Sequence, residues 1–526
     1  MRWALLLGLA ASLTATAQGK TADPVTGDAA TKAPAAAPPD GGMAAAAASS
    51  TAGAGASAAP VAAPAPAAKK VDPKLFDQAL NDFFSNRPKD AAPKLFEYTE
   101  NLPSTDENYA WAQFFLAKSL IDLKLRHAAA VYLARIARER TNPAVLPKAL
   151  EELQRLTDLP HDEVMIDEQV FGALDLGFLP EEVAGYAHYQ QGLVDLRVGN
   201  ERWATTHFSK LPETSPEASR AKYAMLVTRL KAAKKDLPKE MIEQFFELGK
   251  DPKLTLEARN DALMAVARLR YEAQDFTAAL EAYSLVQLPS LAPGRASLYL
   301  EEAWTRYQLG QIHAAMGILT TLDAPSFREE FLPDKYLLKA LIYRDLCHYL
   351  PAKRAAKELT RRYAESLDAI REREDLTKDA RLLRAAAARG STKRGRKYLE
   401  SLEFEGEQLG RYAGSFGDRM FGYMTRLYDL SRAEAVRVYD DRLHEAVRVE
   451  ADKLLRAAEQ VRVMEYEVGL KLYERIKKGS KLVTLIEEEP LGPHQIAFKF
   501  TDEYWNDELR TYRFSLKSRC IEETAR

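Results

Sequence analysis

The residues that could perform chemistry are spread along the chain without the spacing that a reaction requires. Its eight histidines form no HExxH pattern, and His161 and His188 have no ligand partners at metal-binding spacing. No GxSxG nucleophile elbow and no GxxxxGK(S/T) phosphate loop occurs, since RGSTKRGRK has its glycines in another order. Two cysteines alone cannot form a structural zinc site. The sequence therefore predicts no catalytic residue, no metal and no cofactor, and a protein that is not an enzyme.

One pair of residues keeps an enzymatic alternative open. Glu400-Ser401 resembles the Glu-Ser at the start of the catalytic region of lytic transglycosylases, some of which are exported helical-solenoid proteins. The sugar-site sequence expected next is missing, and LEFEGEQLG stands in its place. A cell-wall lytic enzyme is therefore a disfavoured alternative.

Charge and composition exclude further classes of partner. Lys plus Arg number 74 and Asp plus Glu number 76, which gives a net charge of -2. Such a balance provides no field that would attract DNA, RNA or anionic lipid. We expect no nucleic-acid partner.

The elements that dominate the chain are repeated pairs of small residues, twelve positions apart, which return about every 37 residues. The pairs are Ala117 with Ala129, Gly192 with Ala204, Ala267 with Ala279, Ala303 with Ala315, and Ala340 with Ala352. A turn lies between the two members of each pair, as at Gly199-Asn200 and Gly310-Gln311. This spacing is typical of two antiparallel helices that touch where side chains are smallest. A fixed period of this length indicates an α-solenoid.

The repeat resembles the tetratricopeptide repeat. That family has a small residue at position 8, Gly at 15, Ala at 20 and a large residue at 24, which Gly192, Gly199, Ala204 and Phe208 match in order. The resemblance covers about 75–365, with the array assigned to 71–365. Degenerate units are expected at roughly 143–177 and 216–249, and a further helix pair near Phe76. The resemblance implies an all-α fold in which helix pairs form a right-handed superhelix.

The resemblance also implies a protein-binding groove on the concave surface, lined by the first helix of each repeat. Carried over by position, the expected partner-binding residues are cations and aromatics: Lys118, Tyr189, Arg197, Arg268, Tyr271, Trp304, Tyr307 and Arg344. Because aromatic and Arg anchors supply most interface energy, we expect them to hold a segment of a partner protein. The alternative is that Tyr271 and Tyr307 pack between neighbouring repeats.

The N-terminal residues predict export. Residues 1–17 have the positive n-region, short apolar core and small-residue cleavage site of a secretory signal peptide, with cleavage expected before Gln18. Residues 18–70 are dominated by Ala, Pro, Gly, Ser and Thr, and predict a disordered linker. No later segment reads as a membrane span. The expected location is the periplasm.

The C-terminal residues predict two further regions. Residues 366–480 are expected to be long and helical, with a loop around the basic run 389–397 and one amphipathic helix from Ser431, as N-cap, to Lys477. Residues 481–526 predict a small β cap with strands at KLVTLIEEE, HQIAFKF and TYRFSLKSRC. The long helix either covers the end of the solenoid or forms a coiled coil with a second copy.

The two cysteines, Cys347 and Cys520, leave a disulfide open. The expected export implies an oxidising compartment, in which a disulfide can form. Cys347 occupies the turn position of the fifth repeat, where a surface location is expected, and a bridge would fix the C-terminal region to the solenoid. Two unpaired thiols are the alternative.

The plan of signal, linker, repeat array and aromatic tail resembles exported repeat proteins of Gram-negative bacteria, including those of gliding motility complexes. The resemblance implies a non-catalytic periplasmic scaffold whose partners are other proteins of the cell envelope. An outer-membrane or cell-wall assembly factor is the alternative of another class.

Overall fold

The computed structural model describes residues 74–172, 179–233, 238–289, 292, 294–478, 503–505 and 509–520. The predicted signal peptide (1–17), linker (18–70) and first two strands (481–489 and 494–500) lie outside these residues. The described helices are α1 Lys74–Phe84, α2 Pro88–Asn101, α3 Tyr109–Asp122, α4 Arg126–Glu139, α5 Leu146–Thr157, α6 Glu181–Arg197, α7 Glu201–Phe208, α8 Pro216–Ala232, α9 Lys239–Lys250, α10 Leu256–Glu272, α11 Phe276–Leu285, α12 Arg295–Gln308, α13 Ile312–Thr321, α14 Pro333–Asp345, α15 Tyr349–Arg362, α16 Ala364–Arg371, α17 Ala380–Ala387, α18 Gly390–Gly410 and α19 Ala413–Lys477. A π-helical turn spans Met165–Phe171, and short 3-10 turns span Pro325–Phe327 and Leu376–Lys378.

Consecutive helices from α1 to α15 pack largely in pairs, which makes this part of the chain an α-solenoid. Nine of the ten small repeat residues are alanines, and all nine are fully buried. At the tenth, Gly192, an added Cβ would lie 2.3 Å from the Phe208 ring. The helices of a pair therefore meet where the sequence predicted, because larger side chains do not fit there.

The turn between paired helices has the same backbone conformation in every matching unit. The residue seven positions after the first small residue adopts a positive φ in all five: Lys124, Gly199, Gln274, Gly310 and Cys347. The expected pair near Phe76 is present as α1 and α2, with a positive φ at Asn86. The unit expected at 216–249 contains α8 and α9, and the one expected at 143–177 contains α5 and the π-helical turn.

The C-terminal helices begin earlier than predicted. The basic run lies in α18 rather than in a loop, and α19 starts at Ala413, with a kink at Gly417 (φ 65). Ser431 is therefore inside α19 and is not its N-cap, and its hydroxyl bonds to His127 of α4. Glycine costs about 1 kcal/mol within a helix. Tertiary packing of side chains such as Leu402, Leu409 and Met420 outweighs that cost here.

The helix α19 connects the two ends of the array. Its first part, from Phe416 to Ala435, belongs to the core formed by α1–α6. Its middle packs on α17, and its last part, from Leu454 to Leu472, belongs to the core of α12–α15. The 40 residues from Met424 to Met464 span about 60 Å at 1.5 Å per residue. We call α19 the brace.

The described part of the C-terminal tail, residues 509–520, forms no strand, so the predicted β cap is not supported there. The tail instead crosses the last two repeats. The Phe514 amide donates to the His313 carbonyl (3.0 Å), and the Arg519 amide donates to the Leu346 carbonyl (3.1 Å). Its backbone groups pair with helix ends and side chains, because no second strand lies beside it among the described residues.

Cys347 and Cys520 are joined by a disulfide, with their Cα atoms 5.3 Å apart. Cys347 occupies its turn as expected, but it is buried rather than near the surface. The tail is therefore bonded to the turn between α14 and α15.

Candidate functional site

The predicted concave-face cations are paired with carboxylates of neighbouring elements. Lys118 on α3 contacts Glu152 on α5 at 2.8 Å. Arg197 at the end of α6 contacts Asp167 in the π-helical turn at 2.6 Å. These pairs link successive parts of the array along one line of the solenoid.

Arg268 on α10 has the most enclosed of these pairings. Its guanidinium donates two hydrogen bonds of 2.8 Å to Glu301 on α12, and both side chains are largely buried. The Tyr283 hydroxyl donates to the same carboxylate at 3.0 Å. A bidentate pair of this kind fixes the spacing of two repeats. Without Arg268, the largely buried Glu301 carboxylate would keep the Tyr283 hydroxyl as its described side-chain donor.

Two of the predicted aromatic residues, Tyr189 and Tyr271, pack against a ring of the following helix. Tyr189 lies against Phe208, and burial raises its pKa to about 12. The ring of Tyr271 packs edge-on against Phe276 at 5.2 Å. Trp304 packs edge-on against Tyr307 at 6.1 Å, and both rings are half-buried.

Tyr307 also connects α12 to the next repeat, since its hydroxyl donates to Asp345 on α14. This contact agrees with packing between neighbouring repeats. Trp304, beside it, contacts the Tyr307 ring and packs against the apolar core of α12–α15.

At the last repeat, the brace lies against the predicted concave face. Arg344 on α14 contacts Glu467 of the brace at 3.1 Å. Asp334 on the same helix faces Lys453 and Arg456 of the brace; burial raises its pKa, and these two cations oppose the shift. The position expected to bind a partner here is therefore in contact with the chain's own helix.

The basic run at the start of α18 forms ion pairs. Arg394 and, from the brace, Arg442 both contact Glu163, at 3.3 and 3.2 Å. Burial acts to raise the pKa of Glu163, but the two guanidinium groups outweigh it and lower the pKa. Arg389 contacts the buried Glu450 of the brace at 2.7 Å. This run holds α18 and the brace against the array.

A buried polar cluster joins the brace to the first repeats. The His127 ring bonds to Ser431 (2.7 Å) and Tyr398 (3.2 Å). The Glu405 carboxylate accepts the His127 backbone N–H at 2.8 Å and the Tyr428 hydroxyl at 2.7 Å. We call these five residues the polar junction.

Burial determines the ionisation of the polar junction. It lowers the pKa of His127 to about 4, so the ring is neutral at pH 7. Burial also raises the pKa of Glu405, against its hydrogen bonds from Tyr428 and His127. Sequence reasoning missed both residues. His127 and Glu405 lie 278 positions apart, and no local pattern marks such a pair.

The polar junction borders a shallow cleft. The cleft is lined by Arg126, His127, Ala130, Leu156, Leu159, Pro160, His161, Asp162, Tyr398, Ser401 and Glu405. Glu400, the residue of the enzymatic alternative, contacts Arg396 at 2.8 Å, and both side chains are exposed. Glu405 is enclosed by hydrogen-bond donors of the chain itself. That arrangement suits a structural carboxylate better than a general acid, which must reach a substrate.

No known protein-family model matches the chain. A search of curated proteins finds no similar sequence. Within the ranges that the structure describes, no helix has the length and apolar character needed to cross a membrane. No three His, Cys, Asp or Glu side chains of the same ranges are grouped as a metal site.

Proposed function

We propose that this protein is a non-catalytic interaction scaffold of the bacterial cell envelope, built from tetratricopeptide-like repeats and located in the periplasm. One observation carries the proposal: a positive-φ turn residue follows a small helix residue by seven positions in five units. Solenoids of this kind present extended surfaces on which other proteins bind. A complex that drives gliding motility is the envelope machine that we propose as its setting.

The middle repeats are the part of the array that we propose for partner binding. The apolar core of α8–α11 contains no residue of the brace, whereas the cores of the first and last repeats do. A partner at the last repeat would have to displace the Arg344–Glu467 contact. A partner beside the middle repeats would displace no described contact of the brace core, and Trp304, on the helix that follows them, packs at the edge of the last-repeat core.

Two of the predicted cations are unsuitable for testing this proposal. Arg268 and Arg344 both support the fold, so their substitution by Glu would alter packing as well as any interface. Trp304→Ala is a cleaner change, since Trp304 is half-buried and its described contacts are apolar. Trp203→Ala is a matched control, because Trp203 lies on α7, the second helix of its pair, and is 62% exposed.

The test is recovery of partners from a crosslinked envelope with the wild-type chain and both variants. We expect Trp304→Ala to lose specific proteins that wild type and Trp203→Ala retain, with all three thermal melts similar. Equal recovery by all three would contradict the proposed surface. Peptidoglycan digestion by the pure protein would overturn the non-catalytic function and favour the lytic enzyme. If the recovered proteins were outer-membrane or cell-wall precursors, the assembly factor would replace the scaffold.

A further inference from the structure

The last part of the brace has two apolar stripes on nearly opposite faces. The inner stripe packs on the last repeats and comprises Leu454, Ala457, Val461, Met464, Val468 and Leu472. The outer stripe comprises Val463, Tyr466, Leu470 and Tyr473, which are 59%, 70%, 46% and 66% exposed. A helix needs one apolar stripe to pack on its own array. The outer stripe has no role in that packing.

The spacing of the outer stripe is that of a coiled-coil seam. Its residues follow one another at intervals of three, four and three positions. In a heptad, Val463 and Leu470 occupy a positions, and Tyr466 and Tyr473 occupy d positions. The inner stripe then falls on b, c and f positions. One helix can therefore bind its own array and a second helix at once.

The outer stripe is large for an exposed surface. Since an aromatic side chain can bury about 150–250 Å² and two of its four members are tyrosines, the stripe has an area on the order of 500 Å². Exposed apolar patches of this size are uncommon on monomers and often mark an interaction site. The Arg344–Glu467 contact at 3.1 Å holds the helix with this face outward.

One pair of charges beside the outer stripe, Arg462 and Glu467, is self-complementary. Arg462 occupies a g position and Glu467 the following e position, and both are exposed. In a parallel pair of helices, the g residue of one chain faces the next e residue of the other. Arg462 of each copy would then face Glu467 of the other. An antiparallel pair centred on the stripe would place Glu467 opposite itself.

We propose that the outer stripe is a homodimer interface, in which residues 463–473 of two copies form a parallel two-stranded coiled coil. The occupant is a second copy because the seam and its flanking charges match themselves about a two-fold axis. The two copies together bury on the order of 1,000 Å², at the lower limit for a specific interface. The dimer is therefore weak. It goes beyond the proposed scaffold function, since pairing does not require a partner protein.

The first test is sedimentation of the full chain over a range of concentrations. Wild type dimerises, and the paired change Tyr466→Lys with Leu470→Lys raises the dimer Kd by on the order of 100-fold, since aromatic anchors dominate interface energy. Leu430→Lys is the matched control, because Leu430 is 64% exposed on the same helix but lies off the seam. A wild-type monomer at every concentration overturns the proposal. So does an equal loss of the dimer in the control.

The second test reads the orientation directly and leaves the fold intact. Both native cysteines are bonded, so Tyr466→Cys introduces a single free thiol at an exposed position. In a parallel dimer the two copies of residue 466 face each other and oxidation links the copies. In an antiparallel dimer residue 466 faces residue 470, and only a mixture of Tyr466→Cys with Leu470→Cys links efficiently. Linking in the mixture alone overturns the parallel arrangement.

Discussion

The brace is attached to the two ends of the array by different chemistry. At the first repeats, its apolar side chains are accompanied by the polar junction, in which a neutral histidine and a carboxylate are buried together. At the last repeats its inner stripe packs on α14 and α15, and the tail, fixed by the disulfide, covers the neighbouring surface of the same repeats. The first attachment is therefore expected to weaken at low pH, and the disulfide joins the tail, not the brace, to the last repeats.

The largest effect is expected at the disulfide. Replacing Cys347 and Cys520 together by Ser opens a loop of 173 residues. By loop-closure entropy, the free energy of unfolding should fall by about 5 kcal/mol. Denaturant unfolding of both forms measures it, with reductant as the control, since reductant should destabilise wild type and leave the variant unchanged. Equal stability of both forms would show that the tail does not hold the last repeats.

The next effect concerns pH at the polar junction. Burial lowers the pKa of His127 to about 4. An unfolded chain takes up a proton on this histidine near its ordinary pKa of about 6.5, and the native state does not. Stability is therefore complete above pH 6.5 and falls, by up to about 3 kcal/mol, as the pH drops from 6.5 towards 4. Glu405 has the opposite effect on stability. Because its pKa is raised, the native state binds a proton on Glu405 at a higher pH than the unfolded chain does.

A substitution isolates the histidine contribution. His127→Gln should flatten the fall in stability between pH 6.5 and 4, as measured by urea unfolding at several pH values. His444→Gln is the control, because His444 is exposed on the brace. A profile for His127→Gln that is as steep as that of wild type would refute the role of His127 in this attachment.

A smaller effect is expected where the tail crosses α13. A Cβ at Gly317 would lie 1.7 Å from the backbone oxygen of Tyr512, which cannot rotate away. Gly317→Ala should therefore lift the tail, at a cost of about 2 kcal/mol, and expose it to protease. Gly422→Ala on the brace is the control, since its Cβ meets no atom within 4 Å, and alanine should stabilise that helix slightly. A tail that stays protease-resistant in Gly317→Ala would argue against its placement on α13.

The fold of the repeats was predictable from sequence, while the attachments of the brace were not. A small buried residue, a turn residue and a buried alanine recur within twelve positions, so the local spacing predicts the helix pairs. The concave-face residues were placed on the expected helices, but their carboxylate partners lie on other repeats and carry no local signal. Ser431 shows the same limit. It was predicted as a helix cap, and its hydroxyl instead bonds to His127, 304 positions away.

The third strand of the predicted β cap, which is the one within the described residues, is not formed for a related reason. Residues 511–520 have the alternating pattern of a strand, and that pattern also suits an extended segment whose partners are helices. Its hydrogen bonds go to the His313 and Leu346 carbonyls, which sequence could not identify. The sequence left open whether the two cysteines are bonded, because it does not give the distance between them. The fold supplies that distance.

We infer that the brace fixes the separation of the first and last repeats. Spin labels on unnatural amino acids at Glu97 of α2 and Lys357 of α15, both exposed, allow that separation to be measured by double electron–electron resonance in the full chain. We predict a single narrow distance distribution in wild type. It should broaden when Met424→Asp disrupts the buried contact of the brace with the first repeats. A broad distribution in wild type, or an unchanged one in Met424→Asp, would show that the brace does not fix this separation.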